Sequence, residues 1–293
     1  MNIILVITSS SGKNLIFVTK TLKIYSFKEA IGLAERGILN GVYLVQGRSG
    51  PYLRAKPNRQ KEDNLDHLSL SLSRLFASRG DLHSSISIGA YRRYWRLYQK
   101  TLKKNVALIF IDGHPTITQV DVKLRLLPNR SIIFKAGKKF HLDPYLLSAI
   151  IIDEVARAAP IEPIIDLIGA SVMNMNISAG IAQVKIETAR DLIKRGYYNP
   201  DPSKLSEKTI ELIQRQEIYR YVKKSKHSIY FAAARMRALI DEWKSYVDLN
   251  QRPDIIATLY SRPYKKPNRN PEPNARGLQI SQEFYLLAKK WFQ

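Results

Sequence analysis

Glu154 closes the run "LLSAIIIDE" (146–154), which Val155, Ala156 and Ala158 extend. The stretch is apolar almost all round, so its spacing predicts a largely buried helix. Leu147, Ile150 and Ala158 stand three or four residues from Glu154, on its own face. A carboxyl against such a surface is desolvated, and desolvation lets a carboxyl keep its proton near neutral pH, as a general acid must. The bland alternative is a surface or salt-bridged carboxylate. Asp153, about 100° further round the helix, is expected to face solvent or Arg157.

A second stretch, "SAGIAQVKIETA" (178–189), sets small residues beside an amide. Gly180 would let a ligand approach the backbone, and Gln183 offers a donor and an acceptor on one short arm. That pairing suits a ligand rich in hydroxyls. Ser178 and Ile181 complete the stretch, which is expected to open a helix over 182–195.

Elements must hold these residues in place. Asp143 as N-cap and Pro144 at the first helical position start the Glu154 helix. From about residue 131 onward the pattern is helical, with further helices expected at 164–174, 206–223, 226–248, 253–261 and 278–292. Upstream, residues 2–8 and 15–20 are apolar and β-branched, joined by the turn composition "SSSGKN". That turn contains Gly-Lys but lacks the first spaced glycine of a phosphate-binding loop. Ser26 and Glu29 form a capping box and Gly37 stops the helix they begin. "GVYLVQ" and "PYLRAKP" are two more strands, so 1–56 reads as a ββαββ module. Residues 56–64 read as a linker and 65–104 as helical. "VALIFIDGHPTITQVDVKLRLL" (106–127) is expected to be a β-hairpin turning at Asp112-Gly113-His114-Pro115.

Charge limits the partners. The 293 residues include 47 Lys and Arg against 25 Asp and Glu, a net of +22. Residues 1–140 hold 24 basic and 8 acidic residues and so carry +16, leaving +6 for the rest. Such an excess points to a polyanion: nucleic acid, anionic cell wall or membrane surface. "YRRYWRLYQKTLKK" interleaves bases and aromatics as nucleic-acid binders do, and would serve equally as an amphipathic helix or a wall-binding face. "SRPYKKPNRNPEPNARG" (261–277) reads as a loop over a cleft or a flap. With no cysteine there is no disulfide or thiol chemistry. The five His have no metal-ligand spacing, and no apolar run approaches the ~20 residues of a membrane span. The apolar core Ile3–Ile7 makes a good first strand and a poor secretory signal.

The order of these motifs resembles the lysozyme-like lytic transglycosylases over about residues 135–292. In that family a catalytic Glu ends the first core helix, a Gly-Leu-Met-Gln-type motif follows, and an Ala-Tyr-Asn motif comes later. "IIIDE" matches the first at Glu154, "SAGIAQVKIETA" the second at Gly180 and Gln183, and "IIATLYSRP" the third at Tyr260. The chain departs from the pattern in three places. Glu154 and Gln183 stand 29 positions apart, a spacing the insertion "APIEPIIDLIGAS" would explain. Tyr260 is followed by Ser-Arg-Pro. The family's Ser after the catalytic Glu has only Ser171 and Ser178 as candidates.

The resemblance implies that Glu154 acts first as acid and then as base, while Gln183 and Tyr260 hold N-acetyl and hydroxyl groups. No second carboxylate is then needed. A two-carboxylate hydrolase of lysozyme or chitinase type would draw one from Glu187, Asp166 or Glu162. The expected fold is α+β: a small ββαββ module (1–56), a linker with helices and a hairpin (57–130), and a mainly helical lysozyme-like catalytic domain (131–293). The expected function is cleavage of peptidoglycan glycan strands with no cofactor and no metal. The expected setting is the cell wall, reached after lysis or through a phage or injection apparatus rather than a cleaved signal. A basic nucleic-acid-binding or scaffold protein on an inactive lysozyme-like fold is the alternative.

Overall fold

The computed structural model describes residues 1–48, 50–57, 64–86, 88–103, 105–168, 178–206, 209–262 and 266–293. The fold is α+β, 53% helix and 17% strand, with the strands concentrated toward the N-terminus and the helices toward the C-terminus. Contacts group the chain into two units: Met1–Thr118 with Arg157–Ser171, and Gln119–Ala156 with Val172–Gln293. This grouping cuts across the three consecutive segments read from the sequence. Among the described residues no helix is long and apolar enough to cross a membrane.

The first unit begins with strands β1 (Ile3–Thr8), β2 (Asn14–Thr19) and β3 (Ile24–Ser26). All six residues of β1 are buried, as its unbroken apolar run requires. Helix α1 (Phe27–Glu35) carries the expected capping box: Ser26 Oγ accepts from Glu29 N while Glu29 accepts from Ser26 N. Strands β4 (Val42–Gly47) and β5 (Gly50–Ala55) pair as a hairpin. The short β6 (Ser69–Ser71) joins β1 in parallel, giving the sheet order β3-β2-β1-β6. The first module is thus βββαββ, with β3 added to the expected ββαββ. "SSSGKN" makes the β1–β2 turn, closed by Ser9 N donating to Lys13 O at 2.8 Å.

Helices α2 (Leu72–Ala77), α3 (Leu82–Ile86) and α4 (Gly89–Thr101) follow, and α4 packs on β1. Strands β7 (Leu108–Ile111) and β8 (His114–Thr118) form the expected hairpin, with positive φ at both Asp112 and Gly113. The hairpin ends sooner than its pattern predicts, because Gln119–Leu126 is helix α5. Val120, Val122, Leu124 and Leu126 alternate like a strand, yet Val122 and Leu126 are also one helical turn apart. The helix buries that pair and leaves Val120 and Leu124 more than half exposed.

The second unit takes α5, α6 (Arg130–Phe140) and most of α7 (Pro144–Ala158). Helix α8 (Glu162–Ile168) belongs to the first unit and packs on β2 and β3. Strands β9 (Ser178–Ala179) and β10 (Val184–Lys185) lead into α9 (Ile186–Lys194), α10 (Arg215–Lys223) and α11 (Ser225–Trp243). Helix α11 buries the small-residue run Ala232–Ala234 and packs against α6, α9, α10 and α12 (Pro253–Ser261), the centre of a helical core. The chain ends in α13 (Ala275–Gln279), a π-helical turn over Ile280–Phe284, and α14 (Tyr285–Phe292). This unbroken helical run starts at 275, three residues before the expected 278.

Candidate active site

Helix α7 begins as its sequence dictates: Tyr145 N donates to Asp143 Oδ1 at 2.8 Å, and Pro144 takes the first position. The helix buries Leu147, Ala149, Ile150, Ile151 and Ile152 completely. Asp153 and Glu154 do not sit as their spacing suggests. Asp153 does not face solvent. Its carboxylate is 0% exposed and accepts from Arg276 Nε at 2.7 Å and from Nη2. Arg157 pairs with Asp112 at 3.2 Å and donates to the Arg79 carbonyl.

Glu154 keeps 13% of its side chain exposed, and Arg276 Nη2 donates to its Oε1 at 2.8 Å. Its surroundings are therefore not purely apolar. One guanidinium serves both carboxylates. Burial opposes the positive charge on Arg276, but Asp153 and then Glu154 outweigh it and hold the guanidinium's pKa above its ordinary value.

Arg276 is aimed by its own short helix. Asn274 caps α13, its Oδ1 accepting from Gly277 N at 2.7 Å, while Asn274 N donates to Thr258 Oγ1 at 3.0 Å. A Cβ on Gly277 would come within 2.0 Å of Thr258 Oγ1, so only glycine lets α13 press this closely on α12. Sequence reading placed "NARG" at the end of a loop and missed Arg276. The capping Asn three residues before Gly277 was the available signal.

The "GIAQ" stretch does not open a helix. It is the turn of the β9–β10 hairpin, in which Ser178 faces Lys185 and α9 begins only at Ile186. Gly180 has φ +71, and a Cβ there would meet the Val222 carbonyl at 2.2 Å and Ser228 Oγ at 2.4 Å. The missing side chain thus admits α10 and α11 rather than a ligand. Ser228 Oγ accepts from Ala182 N at 3.1 Å, fixing the hairpin to α11. Gln183 also has positive φ, at 47°, and its Nε2 donates to the Gly180 carbonyl at 2.9 Å. Ile181 is half-buried in the turn.

Tyr260, on α12, ties this hairpin to the charged trio. Its hydroxyl donates to the Ala182 carbonyl at 3.3 Å, and Arg235 lies 4.5 Å from its ring centre. Burial pushes the hydroxyl's pKa well up, with Arg235 opposing and Glu154 adding to the rise. Tyr260 is 3% exposed, so its ring offers no open stacking surface. Tyr260 thus bonds the 178–185 hairpin and lies within electrostatic reach of Glu154 and Arg276, residues far apart in sequence.

The three nominated second acids lie on two other helices. Glu187 lies on α9, not on a helix shared with Gln183, and is held between Arg190 at 3.1 Å and Arg215 at 2.7 Å. Glu162 and Asp166 lie on α8, in the first unit. Ser171 falls outside the described residues.

Residues 2–69, all in the first unit, match a family model described as a protein of unknown function (DUF3892). No curated protein matches the chain.

Proposed function

We propose that the second unit cleaves peptidoglycan glycan strands as a lytic transglycosylase, with Glu154 as its only acid and base. The observation that carries this reading is that Tyr260 bonds the 178–185 hairpin and lies within electrostatic reach of Glu154, the three motifs occurring in the order that the lysozyme-like enzymes use. Glu154 protonates the glycosidic oxygen and the C1–O bond breaks through an oxocarbenium-like state. The resulting carboxylate takes the proton of the sugar's 6-hydroxyl, whose oxygen closes onto C1. Glu154 is thereby reprotonated, no water is consumed, and the product ends in an anhydro sugar. Arg276 is a positioning residue: it neutralises buried Asp153 and orients Glu154 through one donor. Glu187, held between Arg190 and Arg215, is a poor candidate for a second carboxyl, which favours this route over hydrolysis, a reaction that requires such a carboxyl at a defined distance.

Purified sacculi digested with the full chain should release anhydro-muropeptides, ~18 Da lighter than the reducing products of water attack. Glu154→Gln should lower that release by about 10² to 10⁴-fold with melting within a few degrees of the parent. Reducing ends would replace this mechanism with hydrolysis. One observation favours a second reading, a glycan-binding scaffold without cleavage: Arg276 already occupies a Glu154 oxygen. Sacculi bound equally by parent and Glu154→Gln, with no product from either, would select it.

A further inference from the structure

The first unit contains a groove of about 600 Å³ that the glycan reading leaves unused. Arg93, Arg96 and Lys100 of α4 form one wall, and Lys20, just past β2, stands on the rim. Spacings of three and four residues put the α4 cations on one stripe of the helix. The aromatics interleaved with them turn the other way: Tyr91, Tyr94 and Trp95 are buried. The "YRRYWRLYQK" pattern therefore divides into a core face and a cationic face, and the buried rings are unavailable to stack on nucleic-acid bases.

The floor is apolar. Ile3, Leu65, Leu68 and Leu97 line it, the first three more than nine-tenths buried. Asn40 Nδ2 donates to Asn2 Oδ1 at 2.9 Å, setting a pair of amides at the edge. The four cations are exposed and none has an acidic partner among the described residues. Gathering like charges round one concavity is unfavourable unless a ligand supplies the opposite charge.

Size and chemistry narrow the ligand. The volume falls within the ~300–1,000 Å³ of small-molecule sites, which combine apolar walls with a few placed polar groups. Arg93 to Lys100 spans about 10 Å of helix axis, more than a single phosphate covers. Two guanidiniums suit the bidentate geometry of phosphate oxygens. We infer that this groove binds a nucleotide-sized organic polyphosphate, its phosphates on the Arg93–Arg96–Lys100 stripe and its apolar body on the floor beside the Asn2–Asn40 pair.

Calorimetry on the full chain at ~150 mM salt, with ATP, inorganic triphosphate and adenosine as probes, tests this. ATP should bind at least about tenfold more tightly than either fragment, and Arg96→Ala/Lys100→Ala should weaken it by at least about tenfold at unchanged melting temperature. Both side chains are exposed, so the variant should fold. Glu154→Gln should bind ATP like the parent, which separates this site from the glycan reading. Equal binding of ATP and triphosphate, no ATP binding, or binding insensitive to the double substitution overturns the proposal. Oligonucleotides or sacculi that need Arg96 and Lys100 while ATP does not bind would make the groove a polymer site and overturn it as well.

Discussion

The Arg276 trio of the second unit and the cationic groove of the first use the same residue types in opposite ways. Arg276 has 13% of its side chain exposed and two carboxylates within hydrogen-bond reach. Arg93, Arg96, Lys100 and Lys20 are exposed and have no acid among the described residues. The difference is not one between the units as such. Arg157, also in the first unit, is 1% exposed and paired with Asp112. Burial decides it: a charge removed from water must be paired, whereas a charge left at a rim can wait for a ligand. Net charge therefore says little about the reaction and more about where an anion is missing.

Breaking the trio should have the largest effect on stability. Asp153→Asn leaves Arg276 buried with only Glu154 opposite. Removing one partner of a buried pair costs about 3–5 kcal/mol, so the urea midpoint should fall sharply with little change in slope. A loss under about 1 kcal/mol, the size expected of a surface pair, would mean that Arg276 rotates to solvent and that the trio does not aim Glu154.

The next effect separates protein packing from ligand access at the hairpin. Gly180→Ala must accept a left-handed conformation and a Cβ 2.2 Å from the Val222 carbonyl. The conformation alone costs about 1–2 kcal/mol, and overpacking adds about 1–3 kcal/mol. Gly196 has a similar φ, +72, with nothing within 4 Å, so Gly196→Ala should show the conformational part alone. Equal losses at the two positions would mean that the hairpin yields away from Ser228 and that Gly180 faces space after all.

Removing rim cations should barely register. Arg93→Ala and Arg96→Ala are expected to change unfolding free energy by no more than about 0.5 kcal/mol, in either direction, because no internal partner is lost. A clear destabilisation of either variant would show that its guanidinium is part of the fold and would end the contrast with Arg276.

What could be read from the chain was what is local. Ser26 and Glu29 are three residues apart and their capping box needs nothing else. Asp143-Pro144 and Asp112-Gly113 likewise carry their geometry within a few residues. The trio was illegible because Arg276 meets Asp153 across 123 positions, and no spacing rule reaches that far. The parallel pairing of β6 with β1 is hidden for the same reason. Helix α5 was misread because Val122 and Leu126 satisfy both strand and helix periods, and only packing chose. At Gln183 local reading failed outright: a non-glycine residue with positive φ is uncommon, so the hairpin turn left no ordinary sequence mark. Motif order singled out Glu154 and Tyr260 but gave no sign of the guanidinium that holds Glu154.

The smallest effect tests whether a lone titratable group in the second unit follows the same burial rule. His227 Nδ1 lies 2.7 Å from the Tyr198 hydroxyl, whose own pKa is pushed up by burial first and Tyr230 second. The hydroxyl can donate to Nδ1 or accept from it, according to the ring's tautomer. Burial, then Lys226 and Lys224, lowers the His227 pKa below its ordinary 6.5. The nearby carboxylate of Asp201 is taken by Tyr221 at 2.9 Å, and Tyr221 meets the His227 ring edge-on at 5.5 Å. Below pH 6.5 the unfolded chain thus binds a proton that the folded chain resists. The stability from neutral His227 is complete above that pH and is lost as pH falls toward the folded-state pKa. The slope of unfolding free energy against pH should correspond to less than one proton and should flatten in His227→Phe. Tyr198→Phe removes the hydroxyl at Nδ1 and should change the apparent pKa read from the His227 ring proton by NMR. A His227 titration at or above 6.5 in the parent would mean that the ring charges freely in the fold, that the two lysines and burial do not govern it, and that the pairing rule drawn from Arg276 stops short of this site.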